Sequence, residues 1–208
     1  MFKKILLAAA VLVSAASAIE FGPRVGGNMT TMWGDDAEKV TTGFGFNAGI
    51  AAKLAFKDSP ISIAPEVVID MRNTNKEDFL TFKDRSMTEW SLDIPVMIRC
   101  ELLGLIYIEA GPSFNFNLST SEEWTEGITK KSGSHDYDGD ELSSFEFGLS
   151  FGVGTNIISS VDIDFRVNMG LTDIFTDKAS IAGYTFSKGE APAMKNLQFA
   201  LGASIWLF

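Results

Sequence analysis

The 208-residue chain has one cysteine, Cys100, and one histidine, His135. A single thiol excludes an internal disulfide, and so few soft ligands exclude the Cys/His spacings of a structural zinc site. Nowhere after the N-terminal leader is there an unbroken apolar run of the roughly 18 residues that a membrane-spanning helix needs. Basic residues are also scarce, 17 Lys and Arg against 27 Asp and Glu, for a formal net charge of −10. Nucleic acid is therefore excluded as a partner, because its recognition requires clustered cations. Gly-rich phosphate loops and nucleophile elbows are missing too, and no cofactor is expected.

What is present starts with a leader. In "MFKKILLAAAVLVSAASA", Lys3 and Lys4 precede an apolar run from Ile5 to Val13, and Ala16-Ser17-Ala18 forms an A-x-A site. Residues 1–18 are expected to be a cleaved signal peptide, leaving 19–208 as one domain. Loss of the two lysines takes the formal charge from −10 to −12.

In the rest of the chain apolar residues recur every second position, the period of a strand. In 144–155, Phe145, Phe147, Leu149, Phe151 and Val153 share one face; Ser144, Glu146, Gly148, Ser150 and Gly152 share the other. In 161–172, Val161, Ile163, Phe165, Val167, Met169 and Leu171 oppose Asp162, Asp164, Arg166, Asn168 and Gly170. Similar patterns predict eight strands near 20–30, 42–56, 61–72, 87–100, 105–118, 143–155, 161–172 and 195–208. Most have about the 9–11 residues or slightly more that a tilted membrane-crossing strand needs. Connections alternate between short (57–60, 101–104, 156–160) and long, polar ones (31–41, 73–86, 119–142, 173–194). The pattern predicts an all-β fold, an eight-stranded antiparallel up-and-down transmembrane β-barrel with short periplasmic turns and long extracellular loops.

Alternation does not say which face is inside. A soluble barrel would turn its apolar face inward around a ligand. Three features favour the inverse. Small residues crowd the polar face (Gly43, Gly45, Gly49, Ala51, Gly148, Ser150, Gly152), where they suit a narrow interior. Large aromatics stand near strand ends on the apolar face (Phe44, Phe46, Phe56, Trp90, Phe114, Phe116, Phe145, Phe147), as in interfacial girdles. The chain also closes on a strand, "LQFALGASIWLF".

With the polar face inside, Arg24, Lys53, Glu66, Asp93, Arg99, Glu109, Glu146, Asp162, Asp164 and Arg166 become a lumen charge network. Counted from the short turns, Arg24, Lys53, Arg99 and Arg166 fall at depths similar to Glu66, Glu109, Asp162 and Asp164. Pairing is close to obligatory, since an unpaired buried charge costs several kcal/mol. Pro65, Pro95 and Pro112 lie in three successive strands; as proline cannot donate to a ladder, bulges are expected there.

Several strands carry a resemblance. "FGPRVGGNMTT" (21–31), "LDIPVMIRCEL" (92–102), "YIEAGPSFNFNLS" (107–119), "FEFGLSFGVGT" (145–155), "FRVNMGLTDI" (165–174) and "GASIWLF" resemble the PorT-like outer-membrane β-barrel family of Gram-negative bacteria. The resemblance implies the bacterial outer membrane, contact with outer-membrane lipids and lipopolysaccharide, and handling by the barrel-assembly machinery. Gly202, Ile205 and Leu207 match the spacing of an assembly signal, with Phe208 one residue beyond. The resemblance also admits a role in envelope transport or secretion.

Candidate chemistry is sparse. Ser132 or Ser134, His135 and Asp136 are neighbours in one loop, without the fixed geometry of a nucleophile and its base. Asp136, Asp138 and Asp140 resemble the start of a calcium loop, but Glu141 and Phe147 stand where Gly and Glu are required. The expectation is a non-enzymatic outer-membrane protein whose barrel, its lumen plugged by charged residues, displays four loops to an unidentified loop-binding partner. Trp33, Phe79, Phe82, Trp124, Tyr137, Phe175 and Tyr184 are the candidate loop contacts, or else they pack the loops together. The alternatives are a small-solute channel and a lipid-modifying barrel enzyme.

Overall fold

The computed structural model describes residues 16, 18–35, 37, 40–76, 82–102, 104–126, 132–137, 142–158, 160–176, 180–181, 184–185 and 193–207. Apart from Ala16 and Ala18, the expected leader lies outside them, as do Phe79, Asp138, Asp140, Glu141 and Phe208. The strands are β1 (Ala18–Trp33), β2 (Val40–Ala55), β3 (Ile61–Lys76), β4 (Phe82–Leu102), β5 (Ile106–Glu126), β6 (Ser132–Asp136), β7 (Phe145–Ile158), β8 (Val161–Gly170), β9 (Ser180–Ile181), β10 (Tyr184–Thr185) and β11 (Lys195–Ile205).

Eight of them close into an antiparallel barrel. Its neighbours run β1 to β5, then β7, β8 and β11, and β11 pairs back onto β1. Closure pairs the backbone groups between strands and leaves no edge, the condition for crossing hydrocarbon with strands. The barrel is sheared. Followed rung by rung around the circumference, a path that leaves β4 at Trp90 returns to β4 at Cys100. A stagger of that kind tilts every strand against the barrel axis.

The faces divide as the inverse arrangement requires. Phe44 is 71% exposed, Ile50 63% and Leu201 61%, whereas Arg99 is 1% exposed and Asp162 1%. Apolar side chains point away from the barrel and charges point into it, the reverse of a soluble carrier. On the loop side the outer face carries aromatic pairs: Phe46 of β2 with Trp90 of β4 at 5.7 Å, across β3, and, between the neighbouring β5 and β7, Phe114 with Phe147 at 5.7 Å and Phe116 with Phe145 at 5.3 Å.

The prolines do not bulge. The β3–β4 ladder passes from Pro65↔Val96 to Val68↔Asp93, and the β4–β5 ladder from Pro95↔Ser113 to Ile98↔Ala110, with the phase unchanged. Between β2 and β3 it likewise steps from Ala51↔Glu66 to Leu54↔Ile63. A proline removes a donor, but the rungs on both sides hold the register, so two rungs open and no residue is inserted. A real slip lies elsewhere, where Trp90↔Ser119 is followed by Ser91↔Asn117. Leu118 is the extra residue, and the inward phase of β5 moves from Asn115 and Asn117 to Thr120 and Glu122.

Strand ends also differ from expectation. β3, β4 and β5 run on through much of what reads as loop at 73–86 and 119–142, and β6 pairs with the upper part of β5. Above the lipid, outward positions need no grease, and the alternation that marks a strand in sequence fades there. The short turns use special backbone: Asp58 has φ 56° and Gly104 φ 71°, the latter with open space where a Cβ would project.

Candidate functional site

The lumen is built in layers from the short-turn end upward. At the floor, Trp206 turns inward from the end of β11 and is 6% exposed. Lys53 Nζ lies 5.1 Å from its ring and forms an ion pair with Glu20 at 2.7 Å. The Arg99 guanidinium covers the Tyr107 ring at 3.9 Å. Tyr107 in turn lies across Gly154, where a Cβ would run into its Cζ. Small inward residues thus make room for large ones opposite, which explains their density on β7.

Above the floor runs a continuous chain of ion pairs drawn from five strands. Asp162 binds Arg99 at 2.6 Å, Arg99 binds Glu109 at 3.2 Å, and Glu109 binds Arg166 at 2.5 Å. Arg166 grips Glu66 with two N–H donors at 2.7 Å each. Glu66 meets Arg24 at 3.2 Å, and Arg24 grips Asp164 with two donors at 2.6 Å each. Two-pronged guanidinium–carboxylate pairs fix orientation as well as charge. The Arg24 guanidinium sits over Gly202, where a Cβ would run into Nη2.

A second tier lies nearer the loops. Arg72 binds Asp70 at 2.8 Å, Glu89 at 3.4 Å and Glu146 at 3.7 Å. Asn196 donates to Glu146 at 2.9 Å, and Gln198 to Asp70 at 2.7 Å. The remaining interior space includes voids of about 20 Å³ and about 10 Å³, each near the size of one water. Higher still, Arg85 pairs with Glu122, whose other oxygen accepts a 2.8 Å bond from Tyr137 Oη. The mouth is then covered by an apolar cluster of Met32, Met87, Leu142, Ile174, Phe175 and Met194, with Ala37, Val40 and Tyr137 against it. Backbone bonds from Ser143 N to Ile174 O at 2.8 Å and from Ile174 N to Met194 O at 3.0 Å tie the covering segments together.

Of the ten charges expected in the lumen, the structure gathers Arg24, Glu66, Arg99, Glu109, Asp162, Asp164 and Arg166 into one network. Lys53 lies apart with Glu20, and Glu146 belongs to the upper tier. Asp93 stands between tiers with no ion pair among the described residues, and one of its oxygens is unpartnered. Asp70, Arg72, Glu89, Arg85 and Glu122 were missed. Asp70 and Arg72 continue the every-second-residue count from Glu66 along β3, so that signal was available. Arg85 and Glu122 fall in segments that read as loop.

Elsewhere the neighbours in sequence do not form a catalytic group. Ser132, Ser134, His135 and Asp136 lie on β6, where alternation puts His135 on the face opposite the other three. His135 packs edge-on to Tyr137 at 4.9 Å between ring centres. Among the described residues no group of three or more His, Cys, Asp or Glu is arranged to hold a metal ion. Of the loop aromatics, Tyr137 and Phe175 pack together in the cap, and Trp33 lies under Lys195 Nζ at 5.5 Å. Trp124 is half-buried on β5, while Phe82 and Tyr184 open β4 and β10. In the expected assembly signal, Ile205 and Leu207 face outward and Gly202 faces the lumen.

Residues 12–176 match the family described as outer membrane protein beta-barrel domain. No curated protein matches the chain. Among solved structures it is similar to Neisserial surface protein A, at 11% identity, covering 91% of this chain and 99% of that one, with a TM-score of 0.49. A major outer membrane protein from Thermus thermophilus gives 15% identity, 91% and 100% coverage and a TM-score of 0.49. Ail, the attachment invasion locus protein of Yersinia pestis, gives 12% identity, 91% and 99% coverage and a TM-score of 0.47.

Proposed function

The chain belongs to the outer membrane protein beta-barrel domain family and resides in the bacterial outer membrane, and on that premise we propose that it is a sealed, non-enzymatic barrel that displays its loops at the cell surface. The observation that carries this reading is the filled lumen. Ion pairs span it from wall to wall, and the voids between them have room for single waters. An eight-stranded barrel has an interior that side chains fill, and here long charged side chains fill it over small inward residues such as Gly152, Gly202 and Ala51. The outward band takes up outer-membrane lipid, the protruding ends of β4 and β5 with β6 reach the lipopolysaccharide layer, and a loop-binding partner is engaged there. Ile205 and Leu207, with Phe208, serve the barrel-assembly machinery, and cleavage after Ala18 leaves Ile19 as the first residue. Within the family, the Ile-Pro of β4 and the Glu-Ala-Gly-Pro of β5 ally the chain to the PorT-like barrels.

Planar-bilayer recording of the purified, refolded chain tests this. No open steps above the seal current are expected in molar salt; regular steps of appreciable size would replace the sealed barrel with a channel.

A further inference from the structure

The charges of the upper tier do not balance. Asp70, Glu89, Asp93 and Glu146 surround one guanidinium, Arg72, which contacts three of them and leaves Asp93 out. Asp93 is 8% exposed, and its Oδ1 is buried with no hydrogen-bond partner among the described residues. The amide oxygen Asn47 Oδ1 is likewise buried and unpartnered. Both residues line the same void of about 20 Å³ between the two tiers.

The other charged groups on that void are already committed. Each nitrogen of Arg24 and Arg166 holds a carboxylate: Glu66 and Asp164 for Arg24; Glu66, Glu109 and Asp164 for Arg166. Asp70 accepts from Asn28, Arg72 and Gln198 at 2.7–2.8 Å. What is left, among the residues that line this void of about one water's size, is two buried acceptors without donors, Asp93 Oδ1 and Asn47 Oδ1. A water would meet the hydrogen-bonding need but leave the carboxylate charge uncompensated, which in a lumen shut off from bulk water costs several kcal/mol. A small cation meets both. A divalent ion asks for several carboxylates at once, and among the described residues no group of three or more His, Cys, Asp or Glu is arranged to hold one.

We propose that the void between the two charge tiers binds one small monovalent cation of sodium size, held by Asp93 and Asn47. The inference rests on the sealed-lumen reading, since an open bore would hold ions only in transit. The ion is part of the plug: it neutralises Asp93 and ties β2 to β4 across the interior.

The full chain, refolded in micelles of uncharged detergent, is melted in sodium chloride and in N-methylglucamine chloride at one pH and ionic strength. The melting temperature is expected to be higher in sodium by roughly 3 °C or more, as expected for a ligand that binds only the folded state. The sodium-23 resonance broadens in the presence of folded chain. Asp93→Asn removes both effects, whereas Asp162→Asn, in the lower network, keeps them. If Asp93→Asn does not fold, Asn47→Ala reads the same site. Equal melting in both salts with an unbroadened sodium line overturns the site, as does an Asn47→Ala variant that keeps the full sodium response. A salt-independent rise in melting temperature on Asp93→Asn also overturns it, because Asp93 then costs stability in either salt, as an unneutralised carboxylate or a protonated one. Conducting steps in a bilayer would instead remove the sealed lumen itself, a separate failure.

Discussion

Arg166 shows what a single residue does in this interior. Its three nitrogens hold Glu66 and Glu109, and Asp164 lies within 3.1 Å of Nε. Three carboxylates thus meet on one side chain that is 4% exposed, each of them shared with Arg24 or Arg99. The net value of such a cluster against an apolar replacement is small, because desolvation offsets much of the Coulomb gain. Removing only the cation is different: it leaves four buried carboxylates to two guanidinium groups, Arg24 and Arg99, an excess of buried charge that costs about 3–5 kcal/mol. Arg166→Met is therefore expected to lower stability by about that amount, read from urea unfolding in micelles. Adding Glu66→Gln and Glu109→Gln to it should recover much of the loss. If the triple variant is no more stable than Arg166→Met, stranded charge is not the cause.

Whole strands obey a different rule, that of depth. β2 presents Phe44, Phe46 and Ile50 to lipid in succession, with Phe44 towards the loops and Ile50 near mid-strand. The cost of an outward cation depends on how far it must reach to water: about 2–4 kcal/mol at the bilayer centre and about 0–1 near the interface. Ile50→Lys should accordingly destabilise the barrel in lipid vesicles by about 2–4 kcal/mol, and Phe44→Lys by less than about 1 beyond the loss of its ring. Equal costs would mean that β2 does not cross the membrane as drawn. This outward band is the part of the fold most legible in the sequence, because lipid on one side and charge on the other impose a strict period of two. The strand extensions above the membrane were not legible for the converse reason. From Asn73 to Lys76, and from Thr120 to Glu126 apart from Trp124, both faces are polar, so nothing in the pattern separates strand from loop. The prolines misled in another way: a missing N–H shows in sequence, but the rungs on either side that hold the register do not.

At the scale of the molecule, the tube is obstructed at several heights by different chemistry. Trp206 and Tyr107 form the floor, two tiers of ion pairs fill the middle, and a methionine-rich apolar cluster covers the mouth. The charged middle was within reach of the sequence, because strand period and turn positions together set depth. The cap was not: Met32, Met87, Leu142, Ile174, Phe175 and Met194 come from distant segments that only the closed barrel brings together. Obstructions in series add, so opening one should not open the tube. Replacing Met32, Met87 and Met194 with Ala removes buried apolar volume at about 2–5 kcal/mol per site, lost locally from the cap. The segments that include Leu142, Ile174 and Phe175 should then be cut faster by protease in folded samples. Bilayer recordings should stay silent, and the folded band on unheated gels should persist, because the ion pairs beneath are untouched. Conducting steps in this variant would make the cap the gate and leave the charge tiers as the lining of a path rather than its plug.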